Sequence, residues 1–127
     1  EFCAGFCDDE QTKATIHEIY EKYSYTCDTH TAVAVKVYED YKRSTGDTTK
    51  TIIASTASPY KFSAAVLEAI EGKISDISEY EKVDRIAELS DIPVPSALAD
   101  LKNKPERFND VIDKNDQKAY VLKTLGI

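Results

Sequence analysis

Residues 51–62 read TIIASTASPYKF, and the fold class turns on how this dozen is interpreted. The TIIAS half is short, apolar and rich in β-branched side chains, with polar residues on both sides. That pattern predicts a buried strand, clear at 51–56. Pro59 is a favoured first-turn residue of a helix. From there Phe62, Ala65, Val66, Ala69 and Ile70 recur at helical spacing until Gly72 stops the pattern.

Working outward toward the N-terminus, 44–49 (STGDTT) reads as a loop with Gly46 as a helix C-cap. Before it, a helix is expected from about Thr31 to Arg43, with Ala32, Val35, Val37 and Tyr38 available for burial. Its entry (Asp28, Thr29, Thr31) is polar and small, as helix starts prefer. The segment YTCDTH separates it from an earlier helix that Asp8 and Asp9 can cap and that runs to about Tyr25. Ala14, Ile16, Ile19, Tyr20 and Tyr23 form the apolar stripe of that helix.

Toward the C-terminus, 79–90 (EYEKVDRIAELS) is an amphipathic helix. Residues 91–96 hold Pro93 and Pro95 and read as an extended connector. Ser96 is placed to cap a short helix, ALADLKN. Residues 104–113 suggest one helical turn, and 116–125 a closing helix that ends at Gly126. The central helix–loop–strand–loop–helix order is half of an α/β layer arrangement. The expected class is therefore α/β, mostly helical, with few parallel strands. One strand cannot make a sheet, so its partners are expected outside this chain, unless another strand lies near the N-terminus or in 90–96 (SDIPVPS).

Bulk properties narrow the function classes. A length of 127 residues points to one domain. No apolar run approaches the ~20 residues that a membrane helix requires. Residues 1–10 show no signal-peptide pattern. Both observations point to a cytoplasmic protein without a membrane partner. The chain contains no Met, which suggests a segment of a longer polypeptide. The net charge of −7 comes with no visible basic patch, so nucleic acid is not an expected partner. Three cysteines (Cys3, Cys7 and Cys27) form no regular disulfide framework. Cys3 and Cys7 are followed by His17, but a four-ligand zinc set is not evident. The bland reading is reduced thiols, partly packed as small hydrophobes.

Two places can carry chemistry. Open α/β folds bind ligands at the C-terminal ends of strands, and Ser55 and Thr56 stand at such an end. Beyond them the helix start at Pro59 offers free N–H groups to an anion, and Lys61 adds an ammonium. An ordinary strand-to-helix turn capped by Ser58 explains the same residues. The second place is Asp28-Thr29-His30-Thr31, where His30 at a helix entry can titrate near neutral pH. A loop histidine beside a capping threonine is the plain alternative. No Ser-His-Asp spacing, HExxH or Gly-rich phosphate loop is present, and four glycines exclude a dinucleotide fingerprint.

Taken together, DTHTAVAVKVYEDY and TIIASTASPYKFSAAVLEAI resemble the C-terminal region of the threonine synthase family. There an Asp-Pro-His-Thr-Ala-Val-like helix entry precedes a strand ending in Thr-Ala-His-Pro-x-Lys-Phe. The corresponding residues here are Asp28 to Val33 and Thr56 to Phe62. The upstream DDEQTKATIHEIYEKY and the downstream VPSALADLKNKPERFNDVIDK resemble the adjoining helix and the family's tail. Two departures stand out: Thr29 in place of the usual Pro, and Ser58 in place of the usual His.

The resemblance implies a pyridoxal-phosphate lyase of the tryptophan-synthase-like fold, which converts O-phosphohomoserine and water to threonine and phosphate. The cofactor is held on a lysine and acts as an electron sink. By the same resemblance, residues 1–75 belong to the catalytic domain and 76–127 form a helical tail. Thr56, with Ser55 beside it, matches the hydroxyl that meets the pyridine nitrogen. A neutral hydroxyl there does not force that nitrogen to stay protonated. Lys61, His30 and Thr31 are expected on the substrate side. The cofactor-bearing lysine and the phosphate loop are expected elsewhere in a longer chain, so this chain by itself is expected to be inactive and to self-associate through its cut surface. The rival readings are a threonine dehydratase of the same fold and a non-catalytic helical interaction domain.

Overall fold

A computed structural model describes residues 2–73, 76–90 and 92–127. Among these residues the chain forms helices and turns only. In chain order they are α1 (Asp9–Tyr23), α2 (Thr29–Thr45), a 3₁₀ turn (Pro59–Phe62), α3 (Ser63–Glu71), α4 (Glu79–Leu89), α5 (Ser96–Ala99), a second 3₁₀ turn (Asp100–Asn103) and α6 (Gln117–Leu125). Asp91, expected in the connector, lies outside the described residues, as do Ile74 and Ser75 at the expected domain boundary.

The helix starts are set by local chemistry. Asp8 accepts from the Gln11 N–H at 2.8 Å while the Gln11 side chain accepts from the Asp8 N–H at 3.0 Å. This reciprocal pair satisfies two donors that the first turn leaves open. Ser78 and Glu81 repeat the arrangement at the start of α4. Helix ends are equally local. Gly46 closes α2 at φ 70° and returns its N–H to the Lys42 carbonyl at 2.9 Å. Ser24 closes α1 at φ 51°, where a side chain costs more than glycine does.

Packing follows from the stripes. α1 lies against α2 and α3, and α3 lies against α4. Ile16, Ala32, Val66, Leu67 and Ile86 are almost wholly buried between them. On α1 the buried face is Thr12, Thr15, Ile16 and Ile19, while Ala14 and Tyr23 of the expected stripe face solvent. Tyr60, from the 3₁₀ turn, is buried and its hydroxyl donates to the Ile92 carbonyl, with Ser90 Oγ 3.3 Å away. Tyr20 donates to the Leu89 carbonyl at 3.2 Å. These two phenols fasten the end of α4 to the core, and Ile92, Val94 and Leu98 pack onto it beyond. Beyond α5 almost every side chain is exposed, including Phe108 and Val111.

The α/β class is corrected by this architecture. Residues 51–56 form no regular element and belong to no ladder, and no strand occurs among the described residues. A strand exists only where a second extended segment takes up its N–H and C=O groups. Residues 92–95 cannot serve as that partner, since Pro93 and Pro95 remove donors. Nor is the segment buried: Ile52 is 92% exposed and only Ile53 is partly covered. Two smaller expectations also change. Residues 105–113 contain no helical turn. Ser96 is the first residue of α5 rather than its cap, and the stretch after it tightens into a 3₁₀ turn. No helix of the described residues is long and apolar enough to cross a membrane.

Candidate functional site

The two segments singled out in the sequence meet at one buried carboxylate. Asp28 precedes α2, and its side chain is fully shielded from solvent. One oxygen, Oδ1, accepts the N–H groups of His30 at 2.8 Å and Thr31 at 3.2 Å. The other, Oδ2, accepts the Thr31 hydroxyl proton. Ser55 Oγ lies 3.1 Å from Thr31 Oγ1 and 3.5 Å from Asp28 Oδ2. Asp28, Thr31 and Ser55 thus form one hydroxyl–carboxylate network that ties the 51–56 segment to the helix entry. Burial works against the ionised carboxyl, but the bonds from Thr31 and His30 outweigh it and hold the group below the usual carboxylate range.

His30 and Lys61 converge on Phe62. The His30 ring centre is 5.0 Å from that of Phe62, and the Lys61 ammonium sits 5.4 Å from the same ring centre. Both side chains are exposed at the surface. Thr56 is exposed too, and its hydroxyl takes no partner among the described residues. Ser58 accepts from the Tyr60 N–H at 3.3 Å and so caps the 3₁₀ turn, the plain role that the sequence allowed it. Of the five expected site residues, Ser55 and Thr31 are joined directly. His30 and Lys61 are joined through Phe62, and Thr56 stands beside Ser55 without a bond to the rest.

The sequence reading named Asp28 only as part of a helix entry. Its central place had a visible signal, an Asp with a Thr three residues on, which is the spacing of an N-cap and its first turn. Two cavities flank the network. One of about 450 Å³ is lined by Cys7, Lys13, Thr29, His30 and Glu68. Its one ammonium, on Lys13, is paired with Glu10 at 2.8 Å and Glu68 at 3.1 Å. The other, of about 330 Å³, is lined by Thr31, Ile53 and the tyrosines 23, 25 and 38. The three cysteines are unbridged, and burial followed by the nearby Asp28 charge pushes the Cys27 thiol up to about 11. No group of three or more metal-ligating side chains is gathered among the described residues.

Comparison with known proteins gives this geometry a family. The family model described as threonine synthase, C-terminal, matches residues 31–121. Threonine synthase-like 1 of Homo sapiens is 39% identical over 79 residues, which is 62% of this chain and 10% of that protein. Threonine synthase-like 1 of Macaca fascicularis is 38% identical over the same length. The chain therefore spans about a tenth of the curated relatives it matches. The family match opens at Thr31, inside the buried network, takes in the whole Ser55–Phe62 turn and runs into α6, so this chain belongs to the threonine synthase C-terminal family.

Proposed function

We propose that this chain is the C-terminal portion of a threonine synthase, a cytoplasmic pyridoxal-phosphate lyase that converts O-phosphohomoserine and water to threonine and phosphate. The observation that carries the reading is the 3.1 Å approach of Thr31 Oγ1 and Ser55 Oγ, which brings both family motifs to one point. Residues 1–75 are assigned to the catalytic domain and 76–127 to its tail.

The side chains present fit one edge of the cofactor. Ser55 and Thr56 expose adjacent hydroxyls suited to a ring nitrogen, and Ser55 is already oriented. They would hold the ring, while Lys61, His30 and Thr31 would face a phosphorylated substrate. The cofactor, when bound, supplies an electron sink for carbanion chemistry. Within this chain the residues bind and orient. Asp28 and Thr31 hold the Ser55 hydroxyl, and Phe62 supports His30 and Lys61 beside it. None of the lysines here is assigned as the covalent anchor, so the isolated chain is inactive. The exposed Ile52 and Phe108 also favour self-association when the chain stands alone.

The test is direct. In the full-length enzyme, Thr56→Ala or Ser55→Ala weakens cofactor retention by about tenfold, the cost of one good hydrogen bond. The isolated chain mixed with pyridoxal phosphate gives no lysine-bound absorbance band. A borohydride-reducible adduct at one specific lysine of this chain would overturn the assignment. Retention unchanged in both alanine variants would favour a non-catalytic helical module instead.

A further inference from the structure

We propose that the tyrosine-lined cavity between α1 and α2 is a binding site for a free amino acid with an aromatic side chain. This goes beyond the reading of the cofactor edge and does not rest on it. Ser55, Thr56, His30 and Lys61 are all absent from the lining of this cavity.

The cavity holds about 330 Å³, the small end of the range for ligand sites. Its floor is apolar. Ile19 of α1 is buried there, and Val35 of α2 and Ile53 of the 51–56 segment are half-buried. Tyr23, Tyr25 and Tyr38 wall it. Aromatic rings meet a further ring in offset or edge-to-face contact, which favours a flat apolar guest over a branched one.

The rim carries charges of both signs. Glu18 and Lys22 lie one turn apart on α1, and Glu39 and Lys42 lie nearly one turn apart on α2. The other cations of these two helices are used: Lys13 pairs with Glu10 and Glu68, and Lys36 and Arg43 both pair with Asp40. Lys22 and Lys42 pair with no carboxylate among the described residues. Each instead sits over a tyrosine of the wall, Lys22 at 5.1 Å from the Tyr23 ring centre and Lys42 at 5.4 Å from that of Tyr38. Tyr23, with Glu18 and Glu39 farther off, holds the Lys22 ammonium above the ordinary lysine value, so it stays charged at neutral pH.

One chemistry uses all of these groups together. A carboxylate answers Lys22 and Lys42, an ammonium answers Glu18 and Glu39, and an aromatic side chain covers the floor. An anion alone leaves the two glutamates facing it, and a cation alone leaves the two lysines. Burial of the ring supplies most of the affinity, and the exposed rim charges supply the selectivity.

The experiment is titration calorimetry on the full-length protein that carries this chain. The probes are L-phenylalanine, 3-phenylpropanoate, which lacks the ammonium, and 2-phenylethylamine, which lacks the carboxylate. L-phenylalanine should bind saturably, and each truncated probe about tenfold more weakly, the worth of one charge-assisted contact. The double variant K22A/K42A should bind L-phenylalanine no better than 2-phenylethylamine. Lys61→Ala, outside the cavity, should leave the affinity unchanged. No saturable binding of L-phenylalanine overturns the proposal, and so does equal affinity for the three probes, which needs no variant. Binding that K61A abolishes and K22A/K42A leaves intact also overturns it, since it places the amino acid beside Phe62 instead. All three results leave the cofactor-edge reading standing, because that reading is tested by cofactor retention in the Ser55 and Thr56 variants.

Discussion

Replacing Asp28 with Ala in the 127-residue chain should show how much of the fold hangs on the buried network. Three losses are readable. The N–H groups of His30 and Thr31 lose their acceptor, and loss of such a cap costs about 1 kcal/mol. The Thr31 hydroxyl, itself buried, loses its carboxylate and keeps Ser55 as a weaker partner, which costs roughly another 1–2 kcal/mol. A small void opens in place of the carboxyl group. Against these stands the removal of a fully buried charge, which relieves desolvation and offsets roughly 1 kcal/mol, at the low end for a hydrogen-bonded ion. The net is about 2 kcal/mol. Urea denaturation followed by far-UV circular dichroism reads it, since a slope of about 2 kcal/mol per molar converts the loss into a midpoint shift of about 1 M. Asp28→Asn is the control: it keeps the cap, and its midpoint should move by less than half as much. Equal midpoints for Asp28→Ala and the wild type would refute the reasoning, as would an Asn variant as damaged as the Ala one.

The same carboxyl predicts an acid limb. Its acidity is raised on folding, so its contribution is complete above the ordinary aspartate range and is lost as pH falls through the depressed native value. Stability measured from pH 6 down toward ~2 should fall less steeply in Asp28→Asn than in the wild type. Ile16→Ala empties the centre of the α1–α2–α3 packing and should cost about 2–5 kcal/mol by the same denaturation assay. Tyr60→Phe leaves the Ile92 carbonyl without its phenol donor and should cost about 1 kcal/mol, with earlier proteolysis beyond α4. Thiol titration of the folded chain at pH 8 should label exposed Cys3 and spare Cys27, whose thiol is pushed up to about 11; Cys27 should react only after unfolding.

The helices were legible because their determinants are local. Asp8 with Gln11, Ser78 with Glu81, and glycines 46, 72 and 126 act within a few residues, and the apolar stripes need only a period of 3.6. The Asp28–Thr31 bond spans three residues and is local in the same sense. The motifs around His30 and Ser55 were likewise legible as a pair, by resemblance.

The rest depends on distance along the chain. TIIAS has strand composition, but strand identity belongs to a pair of segments, and no partner is found among the described residues. Its β-branched residues therefore lie outside any sheet, and the 92% exposure of Ile52 shows how far composition alone misleads. The joining of Thr31 to Ser55 crosses 24 residues, and that of Tyr60 to Ile92 crosses 32. Neither follows from any local period, since each needs helix packing to bring distant hydroxyls within bonding distance. The sequence by itself determined where this chain turns helical and which family it resembles. Tertiary structure alone decided that a buried aspartate stands behind Ser55, because only packing can remove a carboxylate from water and make its one remaining oxygen the partner of two hydroxyls.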